Sequence, residues 1–179
     1  VVPPGRAVTS AADAVDAASE LGGPVALKVS HPSLQHKTDV GGVVLNLTDP
    51  DRICVAAEQL LALQPGAAVL VESMAEPGTE MLVSATRDGV VPALVVGTGG
   101  IWTELLQDVV VLPLPTDPER VAEAIRALKG YPMLTGGRGR PPAAVDALCT
   151  LAAAVGDALV DDSLTLVELN PVIVSTTSA

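Results

Sequence analysis

Residues Lys28 to Val43, KVSHPSLQHKTDVGGV, decide how the rest of the sequence is read. The run that leads into them alternates, with Val25, Leu27 and Val29 on one face of a strand and Ala26 and Lys28 on the other. His31-Pro32 leaves that strand, and Gly41-Gly42 returns the chain into a second one, Val43 to Leu47. The stretch carries Lys28 and Lys37, His31 and His36, Ser33 and Thr38, and the glycine pair. Ammonium groups, hydroxyl donors and backbone N–H groups left uncovered by glycine make up the chemistry of phosphate binding. The loop is expected to fold over a nucleotide phosphate, with later segments supplying base, ribose and metal contacts. It is not a Walker loop, because the order GxxxxGK(S/T) is absent.

The chain has 179 residues, a length that suits one domain or two small lobes. About half of it is apolar, but Trp102 and Tyr131 are the only aromatics. The core is therefore expected to be Val, Leu, Ile and Ala, with Met74, Met81 and Met133 in minor roles. The net charge is −11, from 10 basic and 21 acidic residues, which argues against nucleic acid and anionic membrane as partners. A nucleotide needs only a few local cations, and Lys28, Lys37, Arg138 and Arg140 lie near glycine-rich segments. Cys54 and Cys149 have no metal-knuckle spacing and read as two buried thiols of a cytoplasmic protein. No signal peptide is visible, and a start at valine reads as an excised or processed domain.

Taken in order, Val1 to Val8 reads as a linker or edge strand, and Ser10 caps a helix to Leu21 with Val15, Ala18 and Leu21 on one face. Asp49-Pro50 opens a second helix, with Ile53, Ala57, Leu60 and Leu61 as its stripe. Strands are expected at Ala68 to Val71, Glu80 to Ala85, Pro92 to Val96 and Val109 to Leu114, and a short helix at Ile101 to Gln107. Asp117-Pro118 starts a further helix, ended by Gly130. Pro141 to Leu159 is the longest helix, buried through Val145, Leu148, Ala152, Val155 and Leu159. Leu164 to Leu169 is the last clear strand, which Pro171 stops from simple continuation. Strands and helices mix without a strict βαβ rhythm, so the class is α+β, with a seam near Glu72 to Thr79. That seam gives an N-terminal lobe at 1–72 and a C-terminal lobe at 73–179.

The remaining candidates each carry two readings. Lys28 is a phosphate cation or a lysine on a wet strand face. His36 is a ligand contact, a proton carrier or a phosphoryl acceptor, or part of a polar loop; His31, ahead of a proline, is structural. Glu72 and Glu80 bracket the seam, where a strand end can pair with an adenine edge and a carboxylate can accept from ribose hydroxyls; otherwise they are surface charges. Glu168 and Asn170 lie two apart on a strand, about 6.5–7 Å between Cα atoms, and two hard oxygen ligands at that spacing can both reach one Mg²⁺. Gly97-Thr98-Gly99-Gly100 is not GxGxxG, so a dinucleotide fold has weak support. Arg138, within Gly-Gly-Arg-Gly, clamps an anion or belongs to a solvated loop.

These pieces fall in a familiar order. Gly23-Pro24-Val25-Ala26-Leu27-Lys28, His36-Lys37-Thr38-Asp39-Val40-Gly41-Gly42-Val43, Val69-Leu70-Val71-Glu72 and Gly78-Thr79-Glu80 come first. Val96-Gly97-Thr98-Gly99-Gly100-Ile101 with Glu104 and Asp108, Leu134-Thr135-Gly136 with Arg138-Gly139, and Glu168-Leu169-Asn170-Pro171 complete the set. The chain resembles the ATP-grasp domain of ADP-forming (NDP-forming) acyl-CoA synthetases, relatives of the succinyl-CoA synthetase β-subunit. The resemblance implies an ATP-grasp fold of two α+β lobes with the nucleotide cleft between them. It implies that Lys28 contacts ATP phosphates, that His36, Lys37, Gly41 and Gly42 cover them, that Glu72 and Met74 meet adenine, and that Glu80 meets the ribose. Arg138 is placed at the nucleotide too, with Mg²⁺ on Asn170 and Glu168; Val172 to Ala179 contains no acid. It also implies a catalytic role for Lys28 and His36, and a separate CoA-binding/ligase domain that handles the small-molecule acid and CoA. The alternative is a non-catalytic nucleotide-sensing or scaffolding module, such as one fused to an acetyltransferase. Neither reading requires nucleic acid or membrane, and both leave room for an oligomer.

Overall fold

A computed structural model describes residues 2–34, 37–38, 40–100, 106–137, 139, 141–161 and 163–179. The chain divides into two compact units, Val1–Ala75 and Glu76–Ala179, each built on its own four-stranded antiparallel sheet. Helices and antiparallel sheets of this kind bear out the α+β reading.

In the first unit β1 (Gly5–Val8), β2 (Val25–Ser30), β3 (Val43–Leu47) and β4 (Ala68–Ser73) lie in the order β1-β4-β2-β3. Helices α1 (Ala11–Leu21) and α2 (Pro50–Ala62) cover one face. Both are capped as their sequences ask: Ser10 Oγ accepts from Asp13 N and Asp49 from Arg52 N, with Pro50 at the start of α2. The core face is the alternating set, with Val25, Leu27, Val29, Val69 and Val71 wholly buried. Each such side chain contributes about 1.5–3 kcal/mol on burial. One expected stripe is displaced. Helix α1 buries Ala14, Ala17 and Ala18, while Val15 and Leu21 sit half-buried at the core's margin. Helix α2 likewise buries Ala56 and Ala57 between Ile53 and Leu60. The two helices are neighbours, and the side chains they bury are largely alanine, which is small enough to let packed elements lie close together.

In the second unit β5 (Thr79–Thr86), β6 (Ala93–Thr98), β7 (Val109–Pro113) and β8 (Leu166–Val174) lie in the order β7-β6-β5-β8. Helices α3 (Pro118–Ile125), α4 (Tyr131–Leu134) and α5 (Val145–Asp161) supply the other side of its core. Met81, Val83, Ala85, Leu94 and Val96 meet Val121, Ile125, Leu148, Ala152 and Leu159 there. Met81 is a full core member, 1% exposed. The guanidinium of Arg87 closes the end of α5: Nε donates to Leu164 O at 3.0 Å, and Nη2 donates to Val160 O at 3.1 Å and to Leu159 O. Several expected boundaries shift; helix α3, for one, ends at Ile125 rather than at Gly130. Helix α5 begins at Val145 rather than Pro141, and β8 runs on to Val174 instead of stopping at Leu169. Val83 pairs with Leu169 but Met81 with Val172, so one extra residue bulges out of β8 around Asn170-Pro171. Because β8 is an edge strand, Pro171 deprives no outer neighbour of a donor. The short helix expected over Ile101 to Gln107 falls mostly on residues outside those described.

Candidate functional site

In the first unit the chemistry sits on the sheet face turned away from α1 and α2. Lys28 lies mid-strand, opposite Leu70 on β4 and Val43 on β3. Its Nζ is 2.5 Å from a carboxylate oxygen of Glu72, whose side chain is only 15% exposed. The register explains the pair. Glu72 is directly opposite Ala26, two residues from Lys28 on the same pleat, so the contact runs diagonally across adjacent strands. On its other side Glu72 faces Gly5 of β1, where an added Cβ would come within 2.8 Å of Glu72 Cγ and 3.0 Å of Val71 O. A glycine and an alanine flanking Glu72 leave its side chain room to lie over the sheet toward Lys28. Ala26 is buried yet belongs to neither core. Met74 is half-buried and tied to the strand end by its N–H, which donates to Pro24 O at 3.0 Å.

The loop after β2 is a set of tight turns. Ser33 N donates to His31 Nδ1 at 3.2 Å and the Ser33 hydroxyl lies 2.8 Å from the same nitrogen, so His31 is tied back on its own turn. Gly41 N donates to Thr38 O at 3.1 Å and Gly42 N to Lys37 O at 2.7 Å. The glycine N–H groups therefore close the turn rather than stand free. Glycine is required there for other reasons: Gly41 has φ 69°, and a Cβ on Gly42 would meet Val29 Cγ1 at 2.5 Å and Lys37 O at 2.7 Å. The turn presents half-buried Lys37 and exposed Thr38. His36 and Asp39 lie outside the described residues.

In the second unit Glu80, Gly100 and Asn170 come together. Gly100 N donates to Asn170 Oδ1 at 3.3 Å, and a Cβ on Gly100 would fall 1.9 Å from Glu80 Oε2. Gly99 N donates to Glu80 O at 2.9 Å, and a Cβ there would lie 2.5 Å from the backbone carbon of Met81. The Gly99-Gly100 segment thus crosses β5 at a separation that admits no side chain. Glu168 is farther along, opposite Ser84, which is four residues from Glu80 or roughly 13 Å of strand. Gly100 thus lies beside both Glu80 and Asn170, while Glu168 is distant from Glu80 but only two residues from Asn170 on the same strand. Among the described residues no three His, Cys, Asp or Glu side chains group as metal ligands. The Asn170 carboxamide oxygen and the Glu168 carboxylate are oxygen donors, which fit a hard cation that takes only one or two protein ligands and completes its shell with water and phosphate. Arg138 lies outside the described residues.

Asp108 has a role that local sequence did not signal. Its carboxylate accepts from Lys129 N at 2.8 Å and Gly130 N at 2.7 Å, and its carbonyl accepts from Thr98 N at 3.0 Å. It fastens the end of the glycine segment to the loop before α4, across 21 and 22 residues of sequence.

A family model described as ATP-grasp domain matches residues 1–179. The chain belongs to the ATP-grasp family. This ATP-grasp domain is 32% identical over 180 residues to the β subunit of acetate–CoA ligase (ADP-forming) I of Pyrococcus furiosus, covering 96% of this chain and 78% of that subunit. It is 35% identical over 186 residues to a trans-feruloyl-CoA synthase of an unknown prokaryotic organism, but spans only 26% of that protein. Among solved structures it superposes with a TM-score of 0.91 and 31% identity on the dinucleotide-forming acetyl-coenzyme A synthetase 1 of Ca. Korarchaeum cryptofilum in complex with coenzyme A, Ca-AMPCP and HgCl⁺, covering 99% of this chain and 81% of that one. Another structure of that enzyme, with coenzyme A and Mg-AMPPCP, has a phosphohistidine segment pointing towards the nucleotide binding site; it matches at TM-score 0.83 and 31% identity, over 98% of this chain and 79% of that one.

Proposed function

We propose that this ATP-grasp domain is the ATP-binding, phosphoryl-transfer part of an ADP-forming acid–CoA ligase. Its likeness, over nearly its whole length, to an ADP-forming ligase subunit carries the reading. A CoA-binding partner domain or subunit would handle the acid and CoA. Lys28 and Lys37 supply the cations for the phosphates, and Thr38 a hydroxyl. Glu72 and Met74 serve the base, and Glu80 the ribose. Asn170 would hold Mg²⁺ with phosphate oxygens, with Glu168, two residues away on the same strand, as the second candidate; the cation would neutralise charge on the phosphates when bound. Arg138 and His36 join the phosphate side.

In the reaction an imidazole nitrogen of the partner's histidine attacks the γ-phosphorus. The bond from phosphorus to the bridging oxygen breaks, and ADP leaves with the electron pair. The domain's part is to hold the chain of phosphates in line and to meet the charge that builds on them. Reactants of this kind belong in the cytoplasm, and among the described residues no helix is long and apolar enough to cross a membrane.

Calorimetric titration with ATP and ADP, with and without Mg²⁺, tests the reading. Mg²⁺-dependent ATP binding is expected, weakened at least about tenfold in Lys28→Ala, since a charge-assisted contact is worth about 1.5–3 kcal/mol. No nucleotide binding by the wild-type chain would overturn it.

A further inference from the structure

We propose that Glu72 is a specificity-determining residue that closes the site to bare polyphosphates, a proposal that rests on the nucleotide reading above. The Lys28 ammonium is not presented to an incoming anion as an isolated positive charge. The Glu72 carboxylate stands 2.5 Å from it, so the pair offers a dipole of no net charge. The surroundings of this carboxylate make it a built-in feature rather than an incidental one. Its side chain is more deeply buried than that of Lys28, 15% against 40% exposed. Its two cross-strand neighbours are Gly5 and Ala26, and nothing larger than hydrogen fits at Gly5 without pushing on Glu72 Cγ. The other ion pair among the described residues, Arg6–Glu20, is exposed on both sides at 47% and 68%.

An anion that takes Lys28 from Glu72 leaves a largely buried carboxylate without its counter-charge, which is costly unless the ligand makes good the loss. Tripolyphosphate is all acceptor and brings nothing to Glu72. A nucleotide brings N–H and O–H donors along with its phosphates, and these can satisfy the carboxylate as the ammonium turns to phosphate. The pair therefore taxes polyphosphate and spares nucleotide, which keeps a domain that lives on phosphate charge from being blocked by triphosphate or pyrophosphate anions.

The test is displacement of ATP by tripolyphosphate, followed by calorimetry, on the wild-type chain, on Glu72→Gln and on Lys28→Ala/Glu72→Gln. Gln keeps the shape and removes the charge. Tripolyphosphate is expected to bind roughly three- to tenfold more tightly to Glu72→Gln while ATP gains nothing, and the gain should vanish in the double variant. Unchanged or weaker tripolyphosphate binding to Glu72→Gln overturns the filter. Wild-type behaviour gives an independent check should that variant fail to fold: tripolyphosphate competing within about tenfold of ATP also overturns it. If the wild-type chain binds ATP through Lys28 but Glu72→Gln does not shift tripolyphosphate, only the filter falls. If it binds no ATP at all, the functional reading falls with it.

Discussion

Gly99→Ala is the sharpest probe of the second unit. A Cβ at that position would lie 2.5, 2.6 and 2.9 Å from the carbonyl carbon, carbonyl oxygen and Cα of Met81. All three are backbone atoms of a central strand, and Met81 is anchored in the core at 1% exposure, so neither side can yield by a rotamer change. Residue 99 must lift off β5. Forced overpacking costs about 1–3 kcal/mol, and loss of the 2.9 Å bond from Gly99 N to Glu80 O adds about 1 kcal/mol. A fall in Tm of at least about 5 °C is expected by scanning calorimetry. Lifting residue 99 also carries Gly100 N away from Asn170 Oδ1, so Mg²⁺-dependent ATP affinity should drop in the protein that remains folded. Gly89→Ala is the control: its Cβ would meet Val91 O at 3.5 Å, an ordinary contact, and its Tm should stay within about 1 °C of wild type. A Gly99→Ala protein that melts with the control and binds ATP·Mg²⁺ as wild type would refute the close-crossing argument.

Asn170→Ala should abolish most of the gain in ATP affinity that Mg²⁺ confers, while leaving Mg²⁺-free ADP binding within about twofold; paired titrations check this. Arg87→Ala removes a donor to three carbonyls at the end of α5 and should lower stability by about 1–3 kcal/mol in urea unfolding, without loss of nucleotide affinity. Burial pushes the Cys149 thiol up, helped by Asp146 and opposed by Arg126. The folded chain then keeps a proton that the unfolded chain releases, so this contribution to stability is intact below the unfolded thiol's pKa of about 8.5 and is lost as pH rises toward the raised folded value. Tm measured from about pH 8 to 10 should fall less steeply in Cys149→Ala than in wild type.

What sequence alone determined is what local periodicity and caps control. The alternation of Val25, Leu27 and Val29 against Lys28 needed no partner to be seen, because the pleat of one strand sorts its own side chains. Ser10, Asp49 and Asp117 each cap the helix they precede, since a cap is satisfied within three residues. The ordered motifs were enough to suggest the family, because their spacing is a property of the chain. Tertiary structure decided whatever depends on two distant segments meeting. Glu72 reads as an isolated surface acid until β4 is laid antiparallel to β2, and only then does it become the counter-charge of Lys28. Alanine carries little weight in a hydrophobic stripe, yet Ala14, Ala17 and Ala18 of α1 and Ala56 and Ala57 of α2 are what those helices bury. The N–H groups of Gly41 and Gly42 look free on paper and are used up by Thr38 and Lys37 carbonyls in the folded turn. Pro171 reads as a stop and is instead a bulge, because β8 lies at an edge where no further strand needs its missing N–H.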